Sequence, residues 1–330
     1  MSATAFIARG LSKNGVRSFI ETDLTELNNK EDKETIVITD DRSFEKQFSN
    51  LRVIYIKPCN KFTWDNLFLT KKLIELKAKK VIYTKNIIPF IHLLFSWEKV
   101  VYVLDLAFMY KNLHAYKFFD SLYMRIFFNS SIRGADKIVA ISKFTKSEII
   151  NFFPKIDPKK IDVRYLLVNK IFKRISNKIE INNIIKKYGL KIPFIFYCGS
   201  ISPRKNILNL LKAFNLVKND ISHDLYLLSS RNWNADNELN FLNKELKNRA
   251  KIIKNVSDEE LAVFYSIADL FVYPSLYEGF GLPTKEAEAC GCRVLTSNFG
   301  VMKEVVGGKT RLVDTKDIKK FTEIILKELK

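Results

Sequence analysis

The stretch Pro274–Gly291, PSLYEGFGLPTKEAEACG, decides the reading of this chain. The run Phe271–Pro274 that leads into it, FVYP, is aromatic and β-branched and reads as a strand. Gly279 and Gly281 then place a loop directly after the strand, and Pro283 stands where a helix begins, a position at which its missing N–H costs nothing. Gly291 is the matching stop signal. Small glycines let a backbone approach a ligand closely, and a helix start offers free N–H groups to phosphate. Glu278 lies in the loop and Glu286 eight residues on, read as the first helical turn. A carboxylate accepts hydrogen bonds from two neighbouring hydroxyls, which suits a ribose or a hexose. A plainer reading stands beside this one: Glu286 complements the helix dipole and the glycines only turn the chain.

A second stretch repeats the strand–turn–helix pattern. Tyr197–Asn206, YCGSISPRKN, puts Gly199 in the turn and Arg204 and Lys205 at the start of the helix that follows. Cations at a helix N-terminus oppose the dipole, a cost that makes sense if they neutralise a diphosphate; a solvated basic pair is the competing account.

Outward from these two segments, strands alternate with helices along the whole chain. Strands are predicted near Ala5–Ala8, Thr35–Thr39, Arg52–Ile56, Lys80–Tyr83, Val100–Leu104, Lys137–Ile141 and Ile161–Tyr165, with amphipathic segments Asn66–Ala78 and Ser142–Phe152 among them. The second half predicts strands near Phe194–Cys198, Leu225–Ser229, Lys251–Ile253, Leu270–Pro274, Arg293–Thr296 and Arg311–Val313. Helices at Asn206–Val217, Asp236–Arg249, Asp258–Ile267, Pro283–Cys290 and Asp317–Leu329 fill the gaps. This alternation means parallel sheets covered on both faces, an α/β class. The polar, basic stretch Asn169–Lys191 is the seam, so residues 1–170 and 171–330 are expected to be two Rossmann-like domains. Ligands of such sheets bind beyond the carboxyl ends of the strands.

Composition bounds the remaining possibilities. Of 330 residues, 47% are apolar and 28% charged, which excludes disorder as the main state. The formal net charge of +19 points to an anionic partner: phospholipid, nucleic acid or a phosphorylated substrate. Biased base composition also produces a chain rich in Lys, Ile and Asn, and no nucleic-acid recognition motif is present, so nucleic acid is not an expected partner. Cys59, Cys198, Cys290 and Cys292 are too few and scattered for a disulfide framework, and no His lies near the Cys290–Cys292 pair to suggest zinc. A reducing cytoplasm fits. The N-terminus carries no signal-peptide pattern, and Glu98, Lys99 and Asp105 interrupt the apolar runs Ile87–Trp97 and Val100–Tyr110. Phe108–Arg133 interleaves Tyr110, Tyr116, Phe118, Phe119, Tyr123, Phe127 and Phe128 with Lys111, Lys117, Arg125 and Arg133. That mixture suits an anionic membrane surface, although most of these aromatics are expected in the core.

These motifs resemble those of the family 4 retaining glycosyltransferases, also called group 1 glycosyltransferases, which have the GT-B architecture of two Rossmann-like domains facing across a cleft. The Glu-x7-Glu signature is matched by Glu278 and Glu286, and Val256–Pro283 follows the family pattern along its length. Gly199–Asn206 is similar to the phosphate-binding turn of mannosyltransferase-like members, and Ser297–Gly307 to the family's next loop and helix. In the first half, Arg9–Ile20, with Gly15-Val16-Arg17 at a turn, and Ala135–Ile149 resemble it more loosely.

The resemblance implies an acceptor-binding first domain, a nucleotide-sugar-binding second domain, and transfer of a hexose, with mannose the first guess, to a glycan or glycolipid. It implies that Lys205, with Arg204, stabilises the leaving diphosphate and that Glu278 binds donor-sugar hydroxyls, making Lys205 and Glu278 the catalytic pair. Gly279, Phe280, Gly281 and Leu282 supply backbone amides, Glu286 holds the ribose, and the base lies near Val256. Gly15, Asp105, Gly199 and Ser200 complete the implied donor site. No Asp-x-Asp motif is found, and neither metal nor cofactor is expected. The chain departs from the family at Leu104, where a His commonly precedes Asp-Leu, at Ser200, commonly Arg, and at Glu288, commonly apolar. It also stops at Lys330, short of a helix that many members have. Leu104 and that early stop leave a catalytically silent nucleotide-sugar-binding or scaffold protein as the alternative. A cytoplasmic enzyme, peripheral on a membrane, is the expectation.

Overall fold

The computed structural model describes residues 3–10, 15–230 and 232–330. The chain divides into two compact units, one of Met1–Met109 and Tyr116–Leu167, the other of Tyr110–Ala115 and Val168–Lys330. The short segment Tyr110–Ala115 thus belongs with the second unit, where the Trp233 indole donates to the His114 carbonyl at 3.0 Å.

Among the described residues, the first unit holds strands β1 (Thr4–Ala8), β2 (Thr35–Thr39), β3 (Arg52–Tyr55), β4 (Lys80–Tyr83), β5 (Glu98–Val103), β6 (Lys137–Ala140) and β7 (Ile161–Val163). They form one parallel sheet in the order β3-β2-β1-β4-β5-β6-β7. The second unit holds β8 (Phe194–Cys198), β9 (Asp224–Leu228), β10 (Ala250–Ile253), β11 (Leu270–Tyr273), β12 (Val294–Ser297) and β13 (Arg311–Val313), parallel in the order β10-β9-β8-β11-β12-β13. Helices α1 (Gly15–Asn29), α2 (Ser43–Gln47), α3 (Lys61–Thr63), α4 (Leu69–Glu75), α5 (Phe118–Gly134) and α6 (Lys143–Phe152) serve the first sheet. Helices α7 (Lys178–Tyr188), α8 (Ile207–Val217), α9 (Asp236–Glu245), α10 (Asp258–Ile267), α11 (Leu282–Ala289), α12 (Met302–Val305) and α13 (Ile318–Leu329) serve the second.

Strands β2, β8, β9, β11 and β12 are buried along almost their whole length, as expected where helices cover both faces of a parallel sheet. Phe194–Tyr197 and Leu270–Val272 are wholly buried, as are Val37, Ile38, Val81, Val101 and Val103 in the first unit. Two α/β units with parallel sheets are what the alternation of apolar runs and amphipathic segments predicts. The bounds of β2, β4, β8 and β13 coincide with the sequence expectation.

Two differences have visible causes. The helix expected over Asp236–Arg249 ends at Glu245, because Arg249 is tied down elsewhere. Its guanidinium donates to Asp224 (2.9 Å) and to the carbonyls of Lys218, Ile221 and His223, which fixes the chain at the entrance to β10. The polar seam Asn169–Lys191 contains α7: Asn177 caps it by accepting from the Ile179 and Glu180 amides, and Gly189, at φ +61°, ends it. Lys187 and Tyr188 of α7 both bond Glu260 of α10, which holds this helix on the second unit.

In each sheet the strand order reverses once, between β1 and β4 and again between β8 and β11. Such a reversal leaves a crevice at the carboxyl ends of the two adjacent strands, since their connections leave in opposite directions.

Candidate active site

The turns after β8 and β11 carry the residues of both informative motifs, so the second sheet's reversal brings them side by side. After β8 the chain turns at Gly199 (φ +151°), where an added Cβ would sit 2.6 Å from the Tyr197 hydroxyl. That hydroxyl donates to the Ser200 carbonyl at 2.8 Å, so the ring shapes the turn. Pro203–Lys205 then form a single 3-10 turn, and Asn206, in the left-handed region at φ +57°, leads into α8. Arg204 and Lys205 therefore precede the α-helix instead of opening it. Left-handed Asn206 is held by its side-chain amide, which donates to the carbonyl and hydroxyl oxygens of Thr315 (3.1 and 3.2 Å).

Lys205 is buried, and its ammonium donates to Glu278 Oε1 at 2.5 Å and to the Tyr273 hydroxyl at 2.6 Å. Arg204 Nη1 lies 3.1 Å from Glu278 Oε2 and donates to the Tyr277 carbonyl at 2.7 Å. Ser275 also donates to Glu278. Burial alone would raise the Glu278 pKa. Arg204, Lys205 and the hydrogen bonds overcome that penalty and hold it at about 2. The cluster carries two cations and one carboxylate, so a surplus positive charge sits at the end of β8.

After β11 the loop reaches Gly281 at φ +87°, where a Cβ would lie 2.5 Å from the Met302 methyl. Only glycine meets both demands. The Gly281 carbonyl accepts from the Thr284 amide (3.0 Å) and hydroxyl (2.7 Å), which starts α11. Gly279, Phe280, Gly281 and Leu282 are buried.

Glu286 sits in the second turn of α11, one turn deeper than the sequence reading placed it, and the first turn carries no acid. Complementing the helix dipole is therefore not its role. It is buried, and the Tyr265 hydroxyl donates to its Oε2 at 3.2 Å. Burial, with Asp258 adding to the effect, pushes its pKa up to about 8 despite that hydrogen bond. At neutral pH Glu286 is a neutral acid while Glu278 is fully ionised: paired in sequence, the two carboxyls are opposite in charge state. Cys198 lies between their surroundings, its thiol pushed up to about 12 by burial, with Glu286 raising it and Lys205 lowering it.

The other candidates are placed as follows. Val256 is half-buried and precedes Ser257, which caps α10 in a reciprocal bond pair with Glu260. Gly15 is the first residue of α1 and not part of a turn, while Leu11–Asn14 of the same motif lie outside the described residues. Asp105 accepts from the Ala107 amide at 3.0 Å, and its carbonyl accepts from Asn86 at 3.1 Å. Leu104 donates its amide to Asn86 at 2.7 Å. Glu288, expected at an apolar place, accepts from the Gly307 amide, the Thr310 hydroxyl and Lys285, and so ties α11 to the loop before β13. Arg204, Lys205 and Glu278 come together in one cluster; Gly199 lies in the turn before it, against Tyr197, and Glu286 is held against Tyr265. Tyr273, Ser275 and Tyr265 were missed. The place of Tyr273 at the carboxyl end of a strand, just before the glycine loop, was the available signal.

Comparison with known proteins finds relatives for the second half of the chain and neighbours for the fold. Residues 180–330 match the family model for glycosyl transferases group 1. O-antigen chain mannosyltransferase B of Escherichia coli is 32% identical over 211 residues, 63% of this chain and 55% of that protein. O-antigen chain mannosyltransferase RfbU of Salmonella typhimurium is 28% identical over 63% of this chain and 55% of its own length. The chain thus spans about half the length of these curated relatives. Among solved structures, HepE of Anabaena in complex with UDP and glucose superposes with a TM-score of 0.76 at 15% identity, covering 99% of this chain and 89% of that one. WaaG, a glycosyltransferase involved in lipopolysaccharide biosynthesis, gives a TM-score of 0.74 at 14% identity, covering 99% and 90%. Each unit has the Rossmann-like fold found in solved GT-B glycosyltransferases, and residues 180–330 match the group 1 glycosyl transferase family.

Proposed function

We propose that this protein is a retaining glycosyltransferase of family 4 that moves a hexose, mannose in the first instance, from a nucleoside diphosphate sugar to a glycan or lipid-linked acceptor at the cytoplasmic face of a membrane. The observation that carries the reading is the Arg204–Glu278–Lys205 cluster at the strand-order reversal of the second sheet. Its surplus cation is what a diphosphate needs, and its carboxylate is what sugar hydroxyls need. The names of the relatives, O-antigen mannosyltransferases, support the mannose and the glycan acceptor and do not favour a silent binding protein.

In this reading Lys205 and Arg204 turn from Glu278 to the diphosphate, and their charge stabilises the oxygen that departs from the sugar. Glu278, released from its cations, accepts from donor-sugar hydroxyls. The backbone of Gly279–Leu282 and the open turn at Gly199 and Ser200 bind phosphate and sugar oxygens. Glu286, as a neutral acid, both donates to and accepts from ribose hydroxyls, and Val256 flanks the base. Gly15 and Asp105 are proposed as donor-binding residues on the family resemblance alone. No metal is assigned.

The test uses the full chain with a panel of nucleoside diphosphate sugars, reading both thermal shift and release of the nucleoside diphosphate. Lys205→Met is expected to lower kcat by about 100-fold, the usual cost of losing one transition-state charge, while circular dichroism stays unchanged. Full turnover in this variant would overturn the assignment.

A further inference from the structure

Helix α5 is apolar on two faces. One face is core: Phe128, Ser131 and Ile132 are buried, and Phe128 packs edge-on against Phe108 at 5.0 Å between centroids. The other face carries Phe119, Leu122, Tyr123 and Ile126, which follow the i, i+3, i+4, i+7 spacing of one helical stripe, and all four are exposed. Most of these aromatics were expected in the core; the structure keeps Phe108 and Phe128 there and turns Tyr116, Phe119 and Tyr123 outward.

The stripe extends onto neighbouring elements of the same unit. Lys61 of α3 lies over the Tyr123 ring at 4.7 Å, and the next residue, Phe62, is 77% exposed. Leu67 and Phe68, in the single wide turn that joins α3 to α4, are exposed as well. At the other end of α5, Leu93 packs against Gly134, and beside it Phe90 and Leu94 are exposed, Leu94 at 79%. Phe119 is 80% exposed. Contiguous apolar exposure on this scale is rare on a protein that meets only water. The three segments that carry it, 57–77, 85–96 and 117–134, contain nine Lys and Arg against three Asp and Glu. Lys57, Lys61, Lys71, Lys77, Lys85 and Lys117 are exposed among them.

We infer that this face of the first unit, built on α3, the turn before α4, the segment Phe90–Leu94 and the outer stripe of α5, docks on an anionic lipid surface. Large apolar side chains among lysines match both layers of such a surface, acyl boundary and charged headgroup. A second copy of the chain would set the same cations against one another, so charge complementarity favours lipid. α5, at about 26 Å by helical rise, lies along the surface and does not cross it. No helix among the described residues is long and apolar enough to cross a membrane. The inference deepens the membrane location given in the proposed function by naming the face that docks, and its failure is distinguishable from that of the transferase reading, because the binding it describes needs neither donor nor acceptor.

The experiment is co-sedimentation of the full chain with phosphatidylcholine vesicles, with and without phosphatidylglycerol, at low and high salt. Binding is expected only to the anionic vesicles, weakened by salt, and lowered at least about tenfold in the double variant Phe119→Ser, Leu94→Ser. Both positions are exposed, so the melting temperature of the variant serves as the fold control. A companion variant, Lys71→Glu, is expected to reduce binding to anionic vesicles. Equal binding to both vesicle types, or wild-type binding by the double variant, overturns the inference. So does self-association of the wild type without lipid that the double variant abolishes, since a second copy would then be the occupant.

Discussion

Replacing Glu286 by Gln should change how stability depends on pH, and the size of the change follows from its burial. The folded protein holds this carboxyl at a pKa of about 8, against 4.5 for the ordinary group. A folded pKa above the unfolded one means that the native state binds the proton more tightly. The stabilisation is full below the unfolded pKa and is lost as pH rises through the folded one. Between pH 5 and pH 8 the unfolded chain is largely ionised at this position while the folded chain holds its proton, giving it up only as pH nears 8. At 1.36 kcal/mol per pH unit, this one residue removes about 3 kcal/mol of stability over that range. Gln is neutral, similar in shape, and can still accept from the Tyr265 hydroxyl. The variant should therefore resemble wild type near pH 5 and exceed it near pH 8, with a melting-temperature difference of about 10 °C for a unit of this size. The assay is thermal or urea unfolding of both proteins at intervals from pH 5 to 8. Parallel curves for wild type and Glu286→Gln would refute the reasoning, because they would mean that Glu286 is ionised in the native state.

Three further outcomes are expected. Glu278→Gln leaves Lys205 and Arg204 beside a neutral amide; it should cost about 3 kcal/mol in urea unfolding, the usual penalty for breaking a buried ion pair, with part of that recovered by adding Lys205→Met. Gly281→Ala meets both the strained φ and the Met302 methyl, so it should destabilise by more than about 1 kcal/mol, and Met302→Ala in the same chain should relieve the steric share in the same unfolding assay. Chelation with EDTA should leave transfer rates unchanged, measured as nucleoside diphosphate released, because Arg204 and Lys205 supply the positive charge in the proposed reaction.

Local pattern was enough to place most elements. Phe194–Cys198 and Lys80–Tyr83 are short apolar runs bounded by polar or turn-forming residues, and nothing else of that length buries both faces. Gly281 and Pro283 were legible because each answers a local backbone demand. The pairing of Lys205 with Glu278 was not: the partners are 73 residues apart, and only the strand order that sets β8 beside β11 makes them neighbours. The depth of Glu286 was hidden for a related reason. A second-turn helix position faces whatever lies beneath it, here Tyr265, which the linear motif does not mention. Glu288 looked out of place until its partners appeared on the loop at Gly307 and Thr310. Helix α5 shows the limit most directly. Periodicity reveals that a side of a helix is apolar, but when two sides are apolar it does not say which one the fold covers.

The bond from Asn206 to Thr315 has a bearing on protein engineering. Thr315 follows β13, accepts from the Asn206 amide next to Lys205, and donates its hydroxyl to the Pro274 carbonyl at the end of β11. One threonine near the far end of the chain thereby buttons together the two turns that hold the cationic cluster. A chimaera that grafts only the segment from β8 to α11 into another scaffold would leave that lysine unmoored. To be transplanted intact, the graft must carry the chain onward past residue 315.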